Sequence, residues 1–146
     1  MFPDSTGVMI LALSTSMSLL MTGLVWFVQV VHYPLFLRVG RTGFTTYAAT
    51  HSRLTSILVV PLMLIELATS LWLLVSPPAA ISGVTAIAQF ALLLLIWGST
   101  FALQVPLHRR LGDGYDRAVV RRLVASNWIR TGLWSTRSVV LLISLL

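Results

Sequence analysis

This chain of 146 residues contains no cysteine and no lysine. The first absence excludes disulfides, thiolate metal sites and thiol nucleophiles, and it removes redox chemistry as a guide to compartment. The second means that the net charge of +6 is carried by arginine alone. Charge of either sign is scarce: 10 basic and 4 acidic residues stand against 57% hydrophobic ones. A soluble domain carries roughly a quarter charged residues. Together with apolar runs too long for soluble helices, this composition describes an integral membrane protein. A basic chain invites a nucleic-acid reading. The arginines instead fall in the loops and at the ends of apolar segments, where they orient a membrane protein, so no nucleic acid is expected.

What is present is a set of four apolar segments, at residues 7–31, 52–75, 81–105 and 126–146. Each is long enough to cross ~30 Å of hydrocarbon at 1.5 Å per residue. The N-terminal run lacks a basic leader, carries Asp4 and continues past the length of a signal peptide, so it is read as a retained helix. Pro34 should end the first segment by turning Tyr33 away from helical geometry, and Pro106 should bend or end the third. Between the third and fourth lies an arginine-rich connection with Arg109, Arg110, Arg117, Arg121 and Arg122, broken by Gly112-Asp113-Gly114. The expected fold is therefore an all-α integral membrane four-helix bundle in one domain. Arginine crowds the first and third connections, which makes both termini extracytoplasmic and the protein a multi-pass component of the inner (cytoplasmic) membrane.

Polar side chains inside such segments need a reason, because lipid satisfies none of them. Trp26, Gln29 and Tyr33 share one face of the first helix, with His32 beside it. The second carries His51, Thr55 and Glu66; the third Trp97, Thr100, Gln104 and His108; the fourth Asn127, Arg130, Trp134 and Arg137. Four such stripes are best satisfied by facing one another. For Trp97 and Trp134 the competing reading is plain core packing.

Depth sorts these residues into two layers. His32, His51 and His108 lie at the arginine-rich end, level with Gln29, Gln104, Asn127 and Arg130. Glu66 and Arg137 lie roughly 15 to 22 Å further along their helices. There an unpaired charge costs at least ~2.5 to 3.5 kcal/mol, so the two are expected to pair. The pair is either a register lock or a functional site. Three imidazoles on three helices at one depth suggest a transition-metal site for copper, iron or zinc with an open position. The alternative for each is an interfacial histidine bonded to a carbonyl or headgroup.

VPLHRRL after the third segment and NWIRT opening the fourth resemble the anthrone-oxygenase-like family of small four-helix membrane proteins. Gln104-Val105-Pro106-Leu107-His108 and Asn127-Trp128-Ile129-Arg130-Thr131 occupy the places of that family's Asn-Val-Pro-Leu-Asn and Trp-Asn-x-x-Arg-Thr segments, and Pro34 fits its first-helix proline. The chain departs from the pattern at His108, which replaces an asparagine, and in having His32 and His51. The resemblance implies a four-helix fold, a site near these motifs, and oxidation of a hydrophobic phenolic substrate with O₂.

On that reading, Arg130 stabilises an oxyanion, and Gln104, Asn127, Glu66 and Arg137 complete the catalytic set. Gln29, Trp26, Tyr33, Trp97 and Trp134 bind the substrate. His32, His51 and His108 hold a metal or act as general bases. A second reading is a non-enzymatic module binding lipid, quinone or a haem held between His32 and His108, or a small subunit of a membrane complex. Transport coupled to Glu66 ranks third, because the polar groups crowd one side. The expected partners are the bilayer and a hydrophobic small molecule, and a homo-oligomer is left open.

Overall fold

A computed structural model describes residues 5–145, and every regular element in it is helical. Four helices follow one another: α1 (Ser5–Arg38), α2 (Phe44–Val75), α3 (Gly83–Asp113) and α4 (Arg117–Leu145). The first three are long and apolar enough to cross a membrane. α4 is less apolar because it carries Arg117, Arg121, Arg122, Arg130 and Arg137, of which the last two are turned inward.

Neither Pro34 nor Pro106 ends its helix. Each follows a five-residue π turn, Val28–His32 in α1 and Thr100–Gln104 in α3, and each helix then continues to Arg38 and Asp113. Tyr33 keeps helical angles (φ −65°, ψ −41°), contrary to the expectation from the proline after it. The wider turn shifts the hydrogen-bond register so that the proline needs no N–H and its ring clears the preceding carbonyl. Pro61 sits inside α2 without such a turn.

The other two boundaries also differ from expectation. α2 starts at Phe44 rather than residue 52, released by Gly43 at φ 80°, a left-handed angle that glycine adopts without strain. α4 starts at Arg117 rather than 126. The Asp116 carboxylate caps it by accepting from the N–H groups of Ala118 (2.7 Å) and Val119 (3.3 Å). The arginine-rich loop is thus mostly two helix ends joined at residues 114–116.

α1 lies against α2 and α4, and α3 against the same two. Three apolar layers fill the bundle. Phe36, Phe44, Leu111, Val120 and Leu123 form the layer at the arginine-rich end. Met21, Val25, Met63, Ile96 and Trp134 form the middle, and Leu11, Leu73, Ile81 and Leu141 the far end. Small hydroxylated residues let α1 approach α4 closely: Ser138 bonds both Ser18 (2.9 Å) and Thr22 (2.8 Å).

Candidate functional site

The two polar layers differ in how well they are satisfied. In the deeper one, Arg137 and Glu66 are fully buried and meet at 3.4 Å. All five guanidinium N–H groups find acceptors. Nε donates to Glu66 Oε1, one terminal nitrogen to the Gln89 carbonyl (2.8 Å) and side chain (3.1 Å), and the other to the Ser14 and Ser70 hydroxyls. Trp134 Nε1 donates to the second carboxylate oxygen at 3.0 Å. The expected pair is formed, and it is saturated.

The upper layer is built around a groove of about 520 Å³ between α2 and α3. Val59, Val60, Met63, Trp97 and Phe101 make its apolar walls. Tyr33, His51, Gln104, His108 and Arg130 gather at its polar end. This size and mixture suit a small apolar molecule with one or two polar groups. Three buried side-chain polar atoms among the described residues have no hydrogen-bond partner: Trp97 Nε1, Gln104 Oε1 and Arg130 Nε. All three belong to residues that line this groove. Leaving a buried donor or acceptor unmatched costs about 1–3 kcal/mol, and native interiors rarely do so.

Of the residues expected at one site, six line the groove: Tyr33, His51, Trp97, Gln104, His108 and Arg130. Seven do not. Gln29 and Asn127 bond each other at 3.0 Å between α1 and α4, and Gln29 also donates to the Val124 carbonyl. Trp26 lies on the outer side of the same contact, edge-on to Trp128 (5.5 Å between centroids) and bonded to Ser135. Trp134 is core: its ring lies under the Arg130 guanidinium, 5.0 Å from the centroid, and its N–H reaches Glu66. It thereby joins the two layers. Glu66 and Arg137 belong to the deeper layer, and His32 sits beside the groove without lining it.

The imidazoles stand close together, with ring centroids 4.6 Å apart for His32 and His51 and 5.3 Å for His51 and His108. Their donor nitrogens do not converge. His32 Nε2 and His51 Nδ1 share a hydrogen bond of 2.8 Å, and His108 Nε2 bonds the Tyr33 hydroxyl at 2.9 Å. Two nitrogens on one tetrahedral zinc at ~2.05 Å would stand about 3.3 Å apart with the ion between them. No group of three His, Cys, Asp or Glu side chains among the described residues is arranged to hold a metal ion. The expected three-histidine centre therefore does not fit. Haem fits no better, since His32 turns its Nε2 to His51 rather than facing His108 across a plane. The histidines form two separate hydrogen-bonded groups: His51 Nδ1 meets both His32 Nε2 and the Thr55 hydroxyl, and His108 Nε2 meets the Tyr33 hydroxyl.

Sequence reading missed the apolar half of the groove. Val59, Val60, Met63 and Phe101 give no signal that separates them from lipid-facing residues. Only their place beside His51 and Gln104 along the two helices could have pointed to them.

No family model, curated protein or solved structure matches this chain. The fold is a helical bundle, three of whose helices are apolar enough to span a membrane, and its groove is a partly apolar cavity ending in imidazoles and an arginine.

Proposed function

We propose that the groove binds a hydrophobic aromatic molecule bearing a ketone or phenol oxygen, and that the protein is a membrane oxidoreductase acting on it. The observation that carries this reading is the set of three unmatched polar atoms. A ligand oxygen accepting from Arg130 Nε and Trp97 Nε1, with a hydroxyl donating to Gln104 Oε1, would match each of them. In this reading α4 is a fourth crossing, both termini are extracytoplasmic, and the arginine-rich ends lie on the cytoplasmic side of the inner membrane. The groove then opens just beneath the headgroups, where an apolar substrate can enter from lipid.

His108 and His51 are the bases. One of them takes a proton from the substrate carbon conjugated to the carbonyl, and the resulting enolate oxygen is held by Arg130. The similarity to the anthrone-oxygenase-like pattern supplies the oxidant. O₂ takes up the electrons of the enolate, and a ring CH₂ becomes C=O with release of one water. The apolar wall excludes water from the enolate meanwhile.

The test is O₂ uptake by membranes holding the protein, with a hydroxylated anthrone supplied. One O₂ per substrate is expected, with a loss on the order of 10²-fold in Arg130→Gln, the size of losing one oxyanion donor. Turnover equal in Arg130→Gln and wild type would remove the reading. A second reading, a quinone or lipid binder without chemistry, is favoured by the apolar lining that Val59, Val60, Met63 and Phe101 give the groove. It predicts saturable binding of the same anthrone with no O₂ uptake.

A further inference from the structure

The two π turns stand in equivalent places. In α1 the turn Val28–His32 is followed by one residue and then Pro34-Leu35; in α3 the turn Thr100–Gln104 is followed by one residue and then Pro106-Leu107. Proline alone does not produce this, because Pro61 in α2 has no π turn. The helices that follow correspond as well. Ala49-Thr50-His51 with Thr55 in α2 matches Ala125-Ser126-Asn127 with Thr131 in α4. His51 and Asn127 are both buried at the polar level. We propose that the chain is a tandem pair of two-helix units, α1–α2 and α3–α4, and that the α2–α3 groove is the open copy of two equivalent clefts. The other cleft, between α4 and α1, is covered on its outer side by Trp26 and Trp128.

The correspondence can be followed residue by residue. Trp26 matches Gly98, and its two partners Trp128 and Ser135 match Ser52 and Val59. Both Ser52 and Val59 line the groove. Gly98 does not itself line the groove, but it is next to Trp97, which does, so a tryptophan at position 98 would reach the same two positions and cover the cavity from its outer side. A Cβ built on Gly98 meets nothing within 4 Å, so the backbone there leaves room for a side chain. Deeper in, Phe101 matches Gln29. Gln29 closes its cleft by bonding Asn127, whereas Phe101 only walls the groove beside His51. Two tryptophans and an amide pair seal one cleft; a glycine, a serine and a phenylalanine leave the other open. Gly98 and Ser52 are thus the residues that set the size of ligand admitted. The statement about ligand rests on the groove being a binding site, as proposed above; the tandem arrangement does not.

A photoreactive tritiated azidonaphthol, applied to membranes and mapped by peptide, separates the two. Wild type should be labelled on α2 and α3. Gly98→Trp should lose that label, and Trp26→Gly with Trp128→Ser should gain label on α1 and α4. A folded Gly98→Trp labelled like wild type, or a Trp26→Gly/Trp128→Ser variant labelled only on α2 and α3, overturns the proposal. If wild type takes no label, the binding reading fails, and melting in detergent still decides the tandem one. Placing both indoles in the open cleft (Ser52→Trp with Gly98→Trp) should raise the midpoint, and Trp26→Gly/Trp128→Ser should lower it. A lower midpoint for the transplanted pair sinks it.

Discussion

The deep layer around Arg137 and the upper layer around Arg130 set the same chemical problem and solve it differently. Each buries a guanidinium from α4 among residues of other helices. Around Arg137 every N–H has an acceptor and the carboxylate of Glu66 is paired on both oxygens. Around Arg130 the Tyr33 hydroxyl of α1, a ring face of Trp134 and a long 3.4 Å bond to Asn127 engage the guanidinium, yet Nε is left without a partner. A saturated network holds helices in register and has nothing left to offer a ligand. An unsaturated one beside a cavity keeps its hydrogen-bonding capacity for a molecule that comes and goes. The contrast underlies the proposal that one arginine serves stability and the other binding.

The largest effect should come from breaking the saturated layer on one side only. Arg137→Met leaves Glu66 buried without its cation and should lower stability by about 3–5 kcal/mol. Adding Glu66→Leu to it removes the stranded charge and should recover most of that loss, because buried pairs replaced together by apolar groups are often near neutral. Denaturation in mild detergent reads both. Single and double variants of equal stability would mean that the pair is not the register lock described here.

A smaller effect is expected where the layers meet. Trp134→Phe keeps a ring beneath Arg130 but removes the N–H that reaches Glu66, at a cost of about 1–3 kcal/mol for the unmatched oxygen. Its thermal midpoint should therefore fall clearly below wild type. An unchanged midpoint would show that Glu66 is satisfied without that bond.

Much of this was readable from sequence, for reasons that can be given residue by residue. The all-helical, membrane-type class followed from composition and run length. The pairing of Glu66 with Arg137 followed from depth, since each is costly alone. The helix ends were less readable: Pro34 suggests a stop and Pro106 a bend or a stop, whereas both helices run on. The π turns before Pro34 and Pro106 depend on hydrogen-bond register, which residue types do not encode plainly. The cap at Asp116 was hidden among arginines that looked like a loop. The site was half readable. Helical periodicity placed Arg130, Gln104 and two histidines on inner faces, but it could not tell the α1–α4 contact, which takes Gln29, Asn127 and Trp26, from the α2–α3 groove. Nor could it show that the imidazoles turn their nitrogens toward one another and toward Tyr33, which is what removes the metal centre. The sequence alone shows no internal repeat, because the identities between the two proposed units are few and their clearest mark is backbone geometry.

Trp97→Phe tests the central claim most directly, because it deletes one unmatched N–H and leaves an aromatic wall in place. Binding of a hydroxylated anthrone should weaken by about tenfold, the worth of one hydrogen bond. The thermal midpoint of the ligand-free protein should hold or rise, since no partner is lost. A midpoint that falls while binding is unchanged would contradict the account, for it would show that this N–H serves the fold and that the groove expects no guest.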